Sequence, residues 1–352
     1  MKALIKTNAL RVDVDASPVY ELLLQITAFT GFENLETYDV GSNWANSQRR
    51  RCSAHLLRAI DRLGGTFANL DQLMGIQALQ PSPNVDGFIR RLEQLSDHEL
   101  MLHATGFYAE IYPERIQTTI MAAASGSKKA RLPAARALSG GVRERQDAVA
   151  RLLATPAEDV KGLVLELISE WYERIFADDE PSARTLLAAD AQAKRALVGT
   201  DPERLILIAT GIKYGLTDRF GKVLLIPTLV MRPWVAVVNY KRLRIYAYPI
   251  VDDPTSVESA RRGAVRVYQA LANEARLGIL KLLAADTLTL DELCSRLEQP
   301  APVVRAHIAV LRAGRIVQIN CEEPTTYQLR GDIVRAVTQP LEAYLNLSPS
   351  PS

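Results

Sequence analysis

The side chains of this chain that could do chemistry fall into small, separate groups. Cys52 and His55 stand three positions apart, a spacing that can ligate zinc, and His98 and His103 are the next histidines along the chain. A structural zinc site of this kind needs a second ligand pair. Cys52, Cys294 and Cys321 are too few and too scattered to supply one, or to build a disulfide framework. No metal site is therefore expected, and Cys294 reads as a small buried apolar residue. Trp171, Tyr172 and Phe176 share a helical spacing, while Trp234, Tyr240, Tyr246 and Tyr248 fall in strand-like runs. Trp171, Tyr172 and Trp234 could line a pocket for a small-molecule effector; packing in a core is the competing use. The segment Gly126–Arg145 carries Lys128, Lys129, Arg131, Arg136, Arg143 and Arg145 among glycines and serines. It reads as a mobile basic stretch, either a solvated loop or a contact for an anionic ligand or DNA phosphate. There is no glycine-rich phosphate loop, nucleophile elbow or zincin motif. Neither an enzyme nor a bound cofactor is expected.

The elements that would position these groups follow from composition and pattern. A chain of 352 residues exceeds the usual single core, and 48% hydrophobic with 23% charged residues is an ordinary globular balance. No run of about 18 uncharged apolar residues occurs, so no membrane span is expected. The opening Met1-Lys-Ala-Leu-Ile-Lys lacks the apolar region of a signal peptide, which makes a cytoplasmic protein the expectation. Leu4–Val14 alternates as a strand, and Ser17-Pro18 starts a helix with an apolar stripe of Val19, Leu22, Leu23, Ile26 and Phe29. From about Asn46 to Leu197 the pattern is almost entirely helical. Leu205-Ile-Leu-Ile, Lys222-Val-Leu-Leu-Ile, Trp234-Val-Ala-Val-Val and Leu243-Arg-Ile-Tyr-Ala-Tyr are then short β-branched and aromatic runs between turn residues, read as a small antiparallel sheet. Pro227 and Pro233 belong at an edge or a strand end. The expected fold class is α+β: a mostly helical N-terminal domain with a small antiparallel sheet over 1–250, a linker over 251–256, a second domain over 257–346, and a disordered tail over 347–352.

The last third is the most specific. Ser259–Leu271 is an arginine-rich amphipathic helix, and Asn273–Ala284 follows with Leu277, Leu280 and Leu283 at helical spacing. Thr289 with Glu292 three residues on is a capping box that opens a short helix. After a brief turn Pro300–Ala313 forms another helix, Ile316–Ile319 and Thr325–Leu329 pair as a hairpin, and Gly331–Leu345 closes the chain as one helix. Helix, helix, short helix, turn, helix, hairpin, helix is the winged helix-turn-helix order. Its second short-turn helix can enter a major groove about 12 Å wide while the hairpin reaches an adjacent groove or phosphate.

Ala270-Leu-Ala-Asn-Glu-Ala-Arg-Leu-Gly-Ile-Leu-Lys-Leu-Leu, Leu290-Asp-Glu-Leu-Cys-Ser-Arg-Leu, Val304-Arg-Ala-His-Ile-Ala-Val-Leu-Arg and Ile316-Val, in this order and spacing, resemble the ArsR family of winged-helix repressors. The resemblance covers roughly Val265–Leu329. It implies a transcriptional regulator that meets double-stranded DNA through Ala301, Pro302, Val303, Val304, Arg305, His307 and Arg312, with Thr325 and Thr326 from the hairpin. It also implies a homodimer held by the last helix through Val334, Val337, Leu341 and Tyr344, together with Ser259–Leu271. Such a dimer sets two reading helices about one DNA turn apart. Ser17-Pro-Val-Tyr-Glu-Leu-Leu, Leu186-Leu-Ala-Ala-Asp and Leu224-Leu-Ile-Pro-Thr-Leu-Val-Met-Arg-Pro-Trp-Val are similar to a domain fused to some ArsR-type regulators, a likeness that speaks to architecture alone.

The chain departs from the family where function concentrates. Family members offer Ser, Thr or Gln at the start of the reading helix; here Pro302, Val303, Arg305 and Ala306 stand there. Val303 can touch only a thymine methyl, and Arg305 alone suits a guanine or a phosphate. Between Asp286 and Arg330, six acids (Asp286, Asp291, Glu292, Glu298, Glu322, Glu323) face five arginines (Arg296, Arg305, Arg312, Arg315, Arg330), leaving one negative charge in excess. That is a poor footprint for a polyanion. Some relatives sense soft metals through Cys-x-Cys on the short helix. Cys294 matches the first position, but Arg296 takes the second, so the usual metal-sensor site is not expected. The alternative reading is an interaction or scaffold protein whose winged helix serves only dimerisation.

Overall fold

The computed structural model describes residues 10–31, 38–63, 70–106, 112–141, 143–199, 201–213, 221–250, 257–320, 324–335 and 337–345. Linker 251–256, the tail beyond 345, wing-tip acids Glu322 and Glu323, and the first half of the Leu4–Val14 strand lie outside the described residues. In chain order the first part runs β1 (Arg11–Val14), α1 (Pro18–Gly31), α2 (Gly41–Arg51), α3 (Ala54–Arg62), α4 (Met74–Leu79), α5 (Val85–Gln94), α6 (Asp97–Ala104), α7 (Glu114–Ala124), α8 (Lys128–Leu138), α9 (Arg143–Leu152), α10 (Ala157–Trp171) and α11 (Glu180–Arg195). Next come α12 (Pro202–Thr210), β2 (Ile212–Lys213), β3 (Lys222–Thr228), β4 (Ala236–Tyr240) and β5 (Leu243–Pro249). The last part is α13 (Val257–Leu271), α14 (Glu274–Ala285), β6 (Leu288–Thr289), α15 (Leu290–Leu297), α16 (Ala301–Ala313), β7 (Val317–Asn320), β8 (Thr326–Leu329), α17 (Gly331–Arg335) and α18 (Gln339–Tyr344). The fold is α+β, mostly helical with small sheets.

These elements form two compact units. The first combines Met1–Ala196 with Phe220–Tyr248. Its centre is α1, buried nearly all round through Val19, Tyr20, Leu22, Leu23, Leu24 and Ile26, with Phe88, Trp171 and Phe176 packed in the same core. A helix with so much apolar surface around its circumference is stable as a core element. The charged residue on α1 is Glu21, 1% exposed, whose carboxylate accepts from Thr228 Oγ1 (2.7 Å) and from the backbone N–H groups of Leu229 (3.1 Å) and Val230 (2.9 Å). Desolvation pushes its pKa up, and those donors, holding the charged form, pull the other way. The carboxylate thereby pins the end of β3 to α1. The sheet has the order β1-β3-β5-β4, with β1 parallel to β3 and β4 antiparallel to β5. It is mixed, where an antiparallel sheet is expected from sequence. The reason is that β1 comes from the far end of the chain and joins after a long helical excursion. Pro227 sits in β3 past the last residue paired with β1, Leu225, where its missing N–H interrupts none of the β1 pairing.

Two further expectations change in the helices. Gly126–Arg145 is largely ordered: α8 runs through Pro133 and buries Ala134, Ala135 and Leu138 against the core, and Arg143 opens α9. Leu205-Ile-Leu-Ile is helix, not strand, within α12. Asp201 caps it through Arg204 N, Pro202 and Glu203 fill the first turn, and Gly211, at φ +69°, ends it in the left-handed region.

The second unit combines Leu197–Arg219 with Pro249–Ser352, so the division falls differently from a single boundary at 250. Its core holds Ile279, Leu280 and Leu283 of α14, Leu293 of α15, Val304, Ile308 and Leu311 of α16, and Leu288, Ile316 and Val317. Asn273 caps α14 through Arg276 N. Arg276 reaches back to the carbonyls of Ala270 (2.8 Å) and Gln269 (2.6 Å), satisfying groups left open at the end of α13. The sheet order is β2-β7-β8-β6: the expected β7–β8 hairpin gains β6 on one side and β2, parallel to β7, on the other. The single closing helix expected over Gly331–Leu345 is two, α17 and α18, with Pro340 near the start of the second.

Candidate nucleic-acid interface

The helix-turn-helix is assembled from local signals. Thr289 Oγ1 accepts from Glu292 N, and the Glu292 carboxylate accepts from Thr289 N (2.7 Å) and Thr289 Oγ1 (2.8 Å), closing the capping box that starts α15. Those hydrogen bonds to the backbone and the hydroxyl hold the Glu292 carboxyl below its ordinary pKa. Glu298, at φ +53°, ends α15 in the left-handed region, and Gln299 N returns to Cys294 O at 3.1 Å. Pro300 then turns the chain into α16, and Pro302 lies in its first turn.

The two faces of α16 are sharply divided. Val304, Ile308 and Leu311, spaced four and three apart, are 1%, 3% and 0% exposed and lock the helix to α14 and α15. Val304 therefore leaves the set of DNA-facing residues: its spacing with Ile308 and Leu311 turns it into the core. Pro302, Val303, Arg305 and Ala306 are exposed, and Ala301, His307 and Arg312 half-buried. Among the described residues Arg305 has no ion-pair partner, so its guanidinium is available to an incoming acceptor. Arg296 is paired with Asp286 (3.5 Å) and Arg330 with Asp332 (3.1 Å), which takes two of the five arginines of this stretch out of any wider positive field. On the hairpin Thr325 is exposed, while Thr326 is half-buried and its hydroxyl accepts from Asn320 Nδ2 at 3.3 Å. Cys294 packs against the helix-turn-helix core.

The other sequence candidates separate. Val334, Leu341 and Tyr344 are 39%, 36% and 36% exposed, and Val337 is half-buried. Leu341 and Tyr344 join Ala264, Val265 and Tyr268 of α13, and Ala272 just past its end, around an apolar groove of about 400 Å³. Val265 and Tyr268 lie on the Ser259–Leu271 helix that the family resemblance places at the dimer interface, though the sequence reading named no single residue of it. The aromatic effector candidates do not share one environment. Trp171 is fully buried, against Phe29 with ring centres 4.9 Å apart, and belongs to the core. Tyr172 donates to Glu180 (2.7 Å), and Trp234 packs on Tyr38 at 6.2 Å. Among the described residues no helix is long and apolar enough to cross a membrane.

The geometry defines the C-terminal part as a helix-turn-helix domain, and a helix-turn-helix domain model matches residues 271–318, from the end of α13 to the start of β7. Over 88 residues the chain is 32% identical to "HTH-type transcriptional regulator KmtR" of Mycobacterium tuberculosis (strain ATCC 25618 / H37Rv). That match spans 25% of this chain and 63% of the relative's length. No solved structure matches the chain.

Proposed function

We propose that the protein is a homodimeric, ArsR-like DNA-binding transcriptional regulator of the cytoplasm, without catalytic activity. The observation that carries this reading is the division of α16 into a core-locked face and an exposed face bearing Arg305, which has no ion pair among the described residues. The likeness to a protein named as a transcriptional regulator supports it. In this reading Pro302, Val303, Arg305 and Ala306 approach base edges, with His307, Arg312, Thr325 and Thr326 flanking. Ala301 is in the first turn, against the backbone. Two copies associate across the α13–α18 groove. The helical N-terminal unit, larger than the reader it accompanies, senses a small molecule or a partner protein. Titrating a labelled duplex from the region upstream of the chain's own coding sequence, at rising salt, tests the reading. Affinity that falls steeply with salt is expected, because phosphate contacts release condensed counterions. An intact dimer that does not bind at low salt overturns it and favours the scaffold reading, for which the paired Arg296 and Arg330 speak.

A further inference from the structure

The histidine of Cys52-x-x-His55 does find partners, though not cysteines. Ser53 caps α3 by accepting from Leu56 N (2.9 Å), and its hydroxyl donates to Glu170 Oε2 of α10 (2.9 Å). That bond ties the start of α3 to α10 and brings His55, in the first turn of α3, onto the α10 face that carries Glu166 and Glu170 one turn apart. His55 Nδ1 meets Glu166 Oε1 directly. One ligand atom from each of His55, Glu166 and Glu170 lies within 4.8 Å of the others. Two ligands on one tetrahedral zinc stand about 3.4 Å apart at bond lengths of about 2.1 Å, so these atoms need draw together only modestly.

From this we propose that His55, Glu166 and Glu170 form a binding site for a divalent ion of the zinc class. Two further features fit a built site. Glu166 Oε1 is closed off from solvent against the His55 ring nitrogen, so an ion seated there would replace that contact and draw both groups into one coordination shell. Glu170 is held in place through Oε2 by both Ser53 and Arg174 (3.1 Å), an outer shell of the kind that fixes a metal-binding carboxylate and leaves its second oxygen for the ion. The ligand set selects the metal. Arg174 offsets one of the two negative charges, and three ligands fall short of the six to eight oxygens that calcium takes. An imidazole with two carboxylates suits zinc, cobalt or nickel. His55 is 64% exposed, so the site has an entry path and an open fourth position for water. The site lies wholly within the N-terminal unit, and the inference holds whether or not the C-terminal domain reads DNA.

The test is a cobalt(II) titration of the chelator-stripped full chain, followed by the visible absorption of a four-coordinate ion and then by displacement with zinc. One equivalent is expected to bind. His55→Ala, at an exposed position that leaves folding intact, and the double variant Glu166→Gln/Glu170→Gln should each weaken binding by tenfold or more; Cys52→Ser should leave it unchanged. Absence of a cobalt spectrum, full binding by His55→Ala, or loss of binding in Cys52→Ser would each overturn the assignment.

Discussion

Replacing Leu341 by lysine should break the association of two copies while leaving each copy folded. Leu341 is 36% exposed on the wall of the α13–α18 groove. Fully burying a leucine is worth about 1.5–3 kcal/mol, so covering the exposed third contributes roughly 0.5–1 kcal/mol per copy and about 1–2 kcal/mol across a two-fold interface. Lysine forfeits that and introduces a charge. The described lining residues include no carboxylate, so each ammonium loses water without gaining a counter-ion from the groove wall. An unpaired ion under those conditions costs several kcal/mol more. The combined loss exceeds about 3 kcal/mol, a rise of over 100-fold in the dimer dissociation constant. Sedimentation equilibrium at micromolar concentration measures it. Val303→Lys is the matched control, a change at a 40% exposed apolar residue away from the groove; it should leave association untouched. A wild type that sediments as a monomer, a Leu341→Lys variant as tightly associated as wild type, or an equal defect in Val303→Lys would refute the argument.

Leu311→Ala removes a fully buried side chain from beneath α16 and should cost about 2–5 kcal/mol in urea unfolding of the C-terminal unit, with the N-terminal transition unmoved. Burial, with a smaller contribution from nearby Lys241, holds His103 at about 4 instead of 6.5. The unfolded chain therefore takes up a proton that the folded chain refuses, so stability is complete above pH of about 6.5 and falls as the pH drops toward 4. The loss is at most on the order of 3 kcal/mol, seen as a falling melting temperature that His103→Gln should flatten.

Where the pattern was local, the sequence was enough. The capping box at Thr289, the start at Ser17-Pro18, and the spacing of Leu280 and Leu283 are written within one or two turns of chain. The misreadings arose where two local signals conflicted. In Leu205-Ile-Leu-Ile the β-branched run suggested a strand, but Asp201-Pro202 before it and Gly211 after it define a helix, and the end signals prevailed. In Gly126–Arg145 the lysines and arginines masked the small residues Ala134 and Ala135, which bury well in a helix. What lay beyond reach was pairing at distance. Neither the parallel addition of β1 to β3 and β2 to β7, nor the bond between Ser53 and Glu170, 117 positions apart, leaves a trace in any window of sequence. Val304 shows the limit within a single helix: a family likeness marks the whole segment as an interface, and only the helical period separates the residue facing the core from Val303 and Arg305 beside it.

The most direct test of the regulator reading is a fluorescence-anisotropy titration of the upstream duplex with wild type and Arg305→Ala side by side. Arg305 is exposed and makes no ion pair among the described residues, so the variant should melt with wild type. Its DNA dissociation constant should rise about 5- to 150-fold, the equivalent of roughly 1–3 kcal/mol for one well-placed arginine contact. Equal affinities for the two proteins would contradict the assignment of α16 as the reading helix.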